Sequence, residues 1–338
     1  MSDLSAMRPR AAGQRRRSGL HRFAVATAAA AWLLIVAGAL VTSTESGLSV
    51  PDWPTTYGQN PFTFPLSKWV GGIRFEHAHR LIASTVGFLT VVLALWLARR
   101  EPRRWVRRLG YLALGAVVAQ GVLGGLTVLL LLPTAVSVAH ACLAQTFFGL
   151  TVAIAVVTSP RWEQIRDLNL RARFSQDPLA RITAATAGAV FLQLLLGAIM
   201  RHTQAGLAIP DFPLAMGRLV PPLSSSAVGI AFAHRIGALA VAALVAVCLV
   251  RAFRSRRPGL GRAAVLLALL VAAQIALGAS TVLTRKAVAV TTAHVAGGAL
   301  LLAGTLILCL SSLASERLQS NVVPIRRAAV ARRVSGWK

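Results

Sequence analysis

The chain has 338 residues, 56% of them hydrophobic and only 14% charged, with a mean hydropathy of +0.66. That composition excludes an ordinary soluble domain, because so much apolar surface has to face lipid. A net charge of +26 would suggest nucleic acid in a soluble protein. Here the arginines crowd alternate connections between apolar runs, so membrane topology accounts for them and no nucleic-acid partner is required.

Eight apolar runs are each about twenty residues long, enough to cross roughly 30 Å of hydrocarbon at about 1.5 Å per residue. They lie near residues 23–42, 78–98, 109–132, 136–158, 180–200, 227–250, 263–283 and 288–312. The expected fold class is therefore an all-α integral membrane protein with eight transmembrane helices. Arg8, Arg10, Arg15, Arg16, Arg17 and Arg22 precede the first run in a basic tail, residues 1–22. That run is longer than a signal-peptide core of about 7 to 15 residues and ends in a repeated motif, so it reads as a retained helix. Arg99, Arg100, Arg103, Arg104, Arg107 and Arg108 follow the second run, and Arg161, Arg166, Arg171 and Arg173 follow the fourth. Arg251, Arg254, Arg256, Arg257 and Arg262 follow the sixth, and Arg326, Arg327, Arg332 and Arg333 lie in the last tail. The positive-inside rule makes these segments cytoplasmic, both termini included, in a plasma-membrane protein whose basic loops also suit anionic lipid headgroups. Connections 43–77 and 201–226 are poor in Lys and Arg and fall outside. Cys142, Cys248 and Cys309 all sit within apolar runs, which predicts no structural disulfide.

The chain also repeats itself. Gly47-Leu48-Ser49-Val50-Pro51-Asp52-Trp53-Pro54 returns as Gly206-Leu207-Ala208-Ile209-Pro210-Asp211-Phe212-Pro213, and His79-Arg80 returns as His234-Arg235. Gln120, Gly124, Thr127, Val128, Leu129 and His140 reappear as Gln274, Gly278, Thr281, Val282, Leu283 and His294. The spacing is nearly constant, which predicts two homologous halves. Four spans in each half make them parallel repeats, two four-helix bundles entering the membrane in the same direction. The expected organisation is a first half at 23–158, a cytoplasmic linker at 159–179, a second half at 180–313 and a basic tail at 314–338.

His21 falls in the basic tail and His202 in the second outer loop, and neither belongs to the repeat. His79, His140, His234 and His294 do, each near the outer start of an even-numbered span. His140, seven residues after Pro133, should lie about 10 Å into its helix. A lone histidine in an apolar helix is most often a hydrogen-bonded core residue. Four at one depth, duplicated across halves, point instead to ligation, since an unpaired intramembrane imidazole is costly. Two imidazoles from one four-helix unit suit the two axial positions of a haem iron. Zinc wants more ligands, and no acid or cysteine accompanies all four histidines.

One charge separates the halves: Glu76-His77-Ala78-His79-Arg80 becomes Ala231-Phe232-Ala233-His234-Arg235. Glu76 shares a helix face with His79, where a carboxylate can take a proton, orient water or stabilise a developing cation. Its alternative use is to satisfy the helix dipole or pair with Arg80. Arg80 and Arg235 can receive haem propionates through bidentate contacts, or cap the outer loops. The repeated Pro-Asp-aromatic-Pro fixes a turn in each outer loop. Gly38-Ala39, repeated as Gly197-Ala198, and Gly124 with Gly278 permit close approach of a helix or a porphyrin, helix packing being preferred.

In its Thr44-Glu45-Ser46-Gly47-Leu48-Ser49-Val50-Pro51-Asp52-Trp53-Pro54 segment, its Glu76…His79-Arg80 motif, His140 within Ala139-His140-Ala141-Cys142-Leu143-Ala144-Gln145, His234-Arg235 and His294, the chain resembles the haem A synthase family. The likeness covers roughly residues 20–312. It implies a membrane oxidoreductase that turns a methyl group of haem O into the formyl group of haem A by successive water-derived hydroxylations, for cytochrome oxidase assembly. His79 and His140, with Glu76 as the catalytic group, would hold the substrate haem O, and His234 and His294 the iron of a resident haem b. Implied partners are the haem O synthase, a farnesyltransferase, and an electron acceptor that the residues do not identify. One branch of the family carries outer-loop cysteine pairs near the position of Asp52. Here Val50, Pro51, Trp53 and Pro54 surround it, so the cysteine-free branch fits and no thiol step is expected. The rival reading is a non-catalytic di-haem b electron carrier. It predicts equivalent halves with haems on opposite sides of the membrane, whereas the histidines are one-sided and Glu76 has no counterpart. A parallel-repeat transporter leaves the histidine set unexplained.

Overall fold

In the computed structural model, residues 8–163 and 170–320 are described. Their helices are α1 (Arg8–Ser43), α2 (Ile73–Arg100), α3 (Arg104–Leu129), α4 (Thr134–Val157), α5 (Pro160–Glu163), α6 (Leu170–Gln176), α7 (Pro178–His202), α8 (Ser226–Arg254), α9 (Leu260–Leu283) and α10 (Val288–Ser320). Eight of them carry stretches long and apolar enough to cross a membrane: Gly19–Ser43 of α1, α2, α3, α4, α7, α8, α9 and Val288–Ala314 of α10. Among the described residues there is no strand, only an isolated bridge in each outer loop, Thr56 with Gln59 and Ala215 with Arg218.

The helices outrun the apolar windows that announce them. End residues such as Arg99 and Arg100 of α2 or Arg251 and Arg254 of α8 are still helical, because a long basic side chain can lay its apolar stem along lipid and carry its charge to the polar zone. α1 therefore begins at Arg8, inside the segment expected to be a tail, and His21 is a residue of that helix rather than of a tail. His202, expected in the outer loop, is the last residue of α7. The connection 159–179 contains α5 and α6. Arg166 and the tail arginines Arg326, Arg327, Arg332 and Arg333 lie outside the described residues.

Local chemistry sets the ends. Asp177 accepts the Leu179 amide at 3.0 Å with Pro178 in the first turn, and Ser225 accepts the Val228 amide at 3.3 Å, each satisfying a helix donor that has no intrahelical partner. Gly259 takes φ +83 before α9, a backbone state that suits glycine. Asp177 is 1% exposed and also pairs with Arg257 at 2.7 Å, tying the α8–α9 connection to the start of α7.

In packing, α1 contacts α2 and α4, α2 contacts α3, and α3 contacts α4, while α7 contacts α8 and α10, α8 contacts α9, and α9 contacts α10. α1 with α10, α4 with α10 and α4 with α7 join these two groups. Trp32 donates its indole N–H to Ala296 O at 3.0 Å across the α1–α10 contact, and Arg201 donates to Ser43 Oγ at 2.9 Å between α7 and α1. Phe88, Leu112, Leu192, Leu266 and Leu269 are exposed on the outside of the bundle, as lipid-facing side chains must be. α4 and α10 are the most buried spans. The three cysteines are free, on α4, α8 and α10.

Candidate functional site

Each repeated histidine has the same partner. A Cβ built on Gly38 of α1 would lie 3.1 Å from Cε1 of His79 on α2, and one on Gly124 of α3 would lie 3.1 Å from Cε1 of His140 on α4. On Gly197 of α7 it would lie 3.1 Å from Cε1 of His234 on α8, and on Gly278 of α9, 3.2 Å from Cε1 of His294 on α10. The glycines expected to serve helix packing thus serve the imidazoles, each ring lying in the groove that a missing side chain leaves on the preceding helix. All four rings stay partly accessible. His79 and His140 lie within electrostatic range of one another, as do His234 and His294.

The ring nitrogens are under-partnered. Nδ1 of His79 is buried without a hydrogen-bond partner. Nδ1 of His140 and of His294 are likewise buried without one. Such atoms are costly in an apolar interior unless another interaction fixes the ring, and iron ligation through the imidazole is one that does. Among the described residues no group of three or more His, Cys, Asp or Glu is assembled, so the donor set is two imidazoles per pair. That set fits the axial positions of a haem and falls short of a closed zinc site.

Above the pockets, the outer loops are held by arginine. Arg80 donates through Nη1 to Asp52 O at 2.7 Å and Thr55 O at 3.0 Å, and through Nη2 to Val50 O at 2.8 Å and Glu76 Oε1 at 2.7 Å. Arg235 makes the matching contacts, to Leu214 O at 2.8 Å, Ile209 O at 3.0 Å and Asp211 O at 2.7 Å. Of the two uses open to these arginines, loop capping is the one the terminal guanidinium nitrogens make. Glu76, 3% exposed, receives the Val50 amide on Oε2 at 2.8 Å and pairs with Arg80 at i, i+4.

The aspartates are turn-builders. Asp52 accepts the amides of Tyr57 at 2.7 Å and Gly58 at 2.8 Å and the hydroxyl of Thr55. Asp211 accepts the amides of Met216 at 2.7 Å and Gly217 at 2.8 Å. Burial raises the pKa of Asp52, but the donors Gly58, Thr55 and Tyr57 together outweigh it and hold the carboxyl below its ordinary 3.8. The Gly217 and Met216 amides likewise lower Asp211. Trp53, between Asp52 and Pro54, packs on Gly125 of α3, where any Cβ would collide with its ring. The first loop is thereby seated one residue from the glycine behind His140.

His77 was not among the expected site residues. It lies in the second turn of α2, fully buried beneath the 43–72 loop, with Thr56 Oγ1 3.1 Å from Nδ1, the Phe64 ring at 5.1 Å and the Trp69 ring at 4.8 Å. Nothing in the repeat marks it, because its counterpart is Phe232. His21, whose Nδ1 is 3.0 Å from Ala155 O, lies apart from the glycine-backed set, whereas His202, at the end of α7, lies within electrostatic range of His140. A second omission has a legible signal. A glutamine one turn before the glycine occurs at Gln120-x-x-x-Gly124, Gln193-x-x-x-Gly197 and Gln274-x-x-x-Gly278.

Among the described residues, eight helices long and apolar enough to span, carrying two pairs of glycine-backed imidazoles near one end, define a multi-pass membrane protein with a duplicated histidine pair. A model of the COX15-CtaA family, cytochrome oxidase assembly protein, matches residues 21–68 and 63–306, and the chain belongs to that family. It is 30% identical over 274 residues to the Heme A synthase of Shouchella clausii, covering 80% of this chain and 88% of that protein. To the Heme A synthase of Symbiobacterium thermophilum it is 33% identical over 267 residues, covering 77% and 84%, and to that of Caulobacter vibrioides 32% over 315 residues, covering 82% and 91%.

Proposed function

We propose that this chain is a haem A synthase, a membrane oxidoreductase of haem A biosynthesis that serves cytochrome oxidase assembly, and that the chemistry takes place in the first half. His79 and His140 hold the substrate haem O, and His234 and His294 hold a haem b. The two halves, residues 23–158 and 180–313, are parallel repeats in the plasma membrane with both termini cytoplasmic. The grouping of helix contacts and the arginine alternation support that arrangement.

In the reaction, the substrate methyl group loses two electrons and one proton and gains hydroxide from water, a second proton leaving, to give a hydroxymethyl group. A second round gives a geminal diol, which loses water to leave the formyl group. The four electrons pass to a membrane electron acceptor outside the chain; a haem b held by His234 and His294 would supply one-electron transfer chemistry in the second half. The protein's own share is orientation by the two imidazoles, a lid of outer loop held by Arg80, and the fixed charge of Glu76 near developing positive charge on the substrate. Haem O reaches the site from the farnesyltransferase that makes it.

The observation that carries the role of Glu76 is the second half. Arg235 makes the same three loop-carbonyl contacts as Arg80 with no carboxylate hydrogen-bonded to it, since Ala231 stands at the position of Glu76. A loop clamp alone therefore does not require a carboxylate. The second reading, that Glu76 is only part of the clamp, is favoured by its bonds to Val50 and Arg80. For Arg80 and Arg235 we adopt loop capping over propionate binding, because their terminal nitrogens are already committed to carbonyls. The haems extracted from the purified full-length protein test the function: haem b together with haem O or haem A is expected, and haem b alone would favour the electron carrier.

A further inference from the structure

A haem carries two ionised propionates on one edge of an apolar macrocycle, and at a membrane-embedded site those carboxylates need cationic or hydrogen-bonding partners. Arg80 and Arg235 are engaged on loop carbonyls. Arg201, in the last turn of α7, is not. It is partly exposed, and among the described residues no carboxylate pairs with it. Only its Nη2 is engaged, donating to Ser43 Oγ at 2.9 Å and to Ala39 O at 3.4 Å, which leaves Nε and Nη1 as donors without a partner among the described residues. The head of Arg201 crosses from the second half to the first. Its backbone stands one turn past Gly197, behind His234, yet its contacts are on α1, beside the Gly38 that leaves room for His79. The next residue, His202, lies within electrostatic range of His140, and its carbonyl accepts from Thr134 Oγ1 at 3.4 Å at the start of α4. The register that pairs Gly38 with Gly197 pairs Thr42 with Arg201, so α1 returns no such cation to the second half. The helix dipole favours any basic residue at a C-terminus, but it does not call for a reach across to α1.

We propose that Arg201 is a substrate-binding residue supplied by the second half, receiving a propionate of the haem O held between His79 and His140. This rests on the first-half haem assignment above. A guanidinium matches a carboxylate in shape and charge, and a partly buried setting strengthens the pair. Two axial imidazoles fix the iron but leave the porphyrin free to turn about the imidazole–iron–imidazole axis. A charge held at one edge stops that turning, so that one methyl group is presented to Glu76. A haem that only passes electrons has no methyl group to present, which agrees with the cation being given to one half alone.

The test uses full-length protein purified from a host that makes no haem O, with the haem b spectrum as the check of folding. Haem O and haem O dimethyl ester are titrated separately and their affinities read optically. Arg201→Gln can keep a hydrogen bond to Ser43 but carries no charge. It should weaken haem O by about tenfold or more and leave the ester within about twofold of wild type. Arg201→Lys should recover part of the loss, because the charge returns without the planar fork. Equal weakening of acid and ester would make Arg201 a structural strut and overturn the proposal, as would unchanged affinity for both. An unchanged acid-to-ester ratio with less phospholipid phosphate retained per protein would make the anion a lipid headgroup, and a change confined to the haem b spectrum would put the site in the second half. Either result overturns it. Should Arg201→Gln not assemble, Arg201→Thr, which installs the residue found at position 42, carries the same comparison. If His79→Ala and His140→Ala both bind haem O as wild type does, the underlying ligand assignment is what has failed.

Discussion

The imidazole of His79 lies so close to Gly38 that the one missing carbon decides where the ring sits: a Cβ on Gly38 would come within 3.1 Å of Cε1. Gly38→Ala therefore has to displace the ring by a few tenths of an ångström, an overpacking cost of about 1 to 3 kcal/mol. First-site haem occupancy should fall by about tenfold with a shifted low-spin EPR signal, and Gly38→Leu should abolish occupancy. Gly115→Ala on α3, where an added Cβ meets nothing within 4 Å, should leave both haems as in wild type.

Replacing His234 or His294 by Ala should remove the bis-histidine haem b spectrum of the purified protein while the first-half haem persists. The pairs share the α4–α10 contact but no ligand, so the losses should be separable by extraction and visible spectroscopy.

Glu76→Gln keeps the size and much of the hydrogen bonding but removes the charge. Haem O should still bind between His79 and His140, while conversion falls on the order of 10²-fold, the scale of one electrostatic or acid–base group. Extracts should contain haem O, with hydroxylated intermediate if the second round suffers more. Haem A at wild-type levels per enzyme would reduce Glu76 to a loop clamp.

Reporter fusions after residues 60, 105, 165 and 215 should read outside, inside, inside and outside. A wrong sense at 60 or 215 would put the Pro-Asp loops, and with them the four histidines, at the cytoplasmic end.

The depressed pKa of Asp52 carries a pH signature. Its ionised form is favoured by folding, so its contribution is complete above the unfolded value of 3.8 and is lost as pH falls through the lower folded value. Between those two values, protection of the 52–58 turn against amide hydrogen exchange should drop by up to about tenfold per pH unit. Asp52→Asn should remove that dependence and leave the turn less protected at neutral pH, because the amide presents one acceptor oxygen where the carboxylate presents two to Tyr57, Gly58 and Thr55.

Composition and periodicity made the eight spans legible, because lipid imposes an apolar length on each helix whatever its neighbours are. Self-similarity made the four histidines legible, and with them the odd charge of Glu76. What the chain alone left open were questions of partnership. Arg80 offered propionate binding and loop capping equally until the loop carbonyls of Val50, Asp52 and Thr55 were found around it. Gly38 and Gly124 read as packing residues until each was found behind an imidazole. His77 carried no signal, since its Thr56, Phe64 and Trp69 neighbours come from a loop whose path is set by tertiary contacts. A span's existence follows from the free energy of its own residues in lipid, a local property. The partner of a side chain depends on which helix lies beside it and at what rotation, and that is decided only when the helices pack.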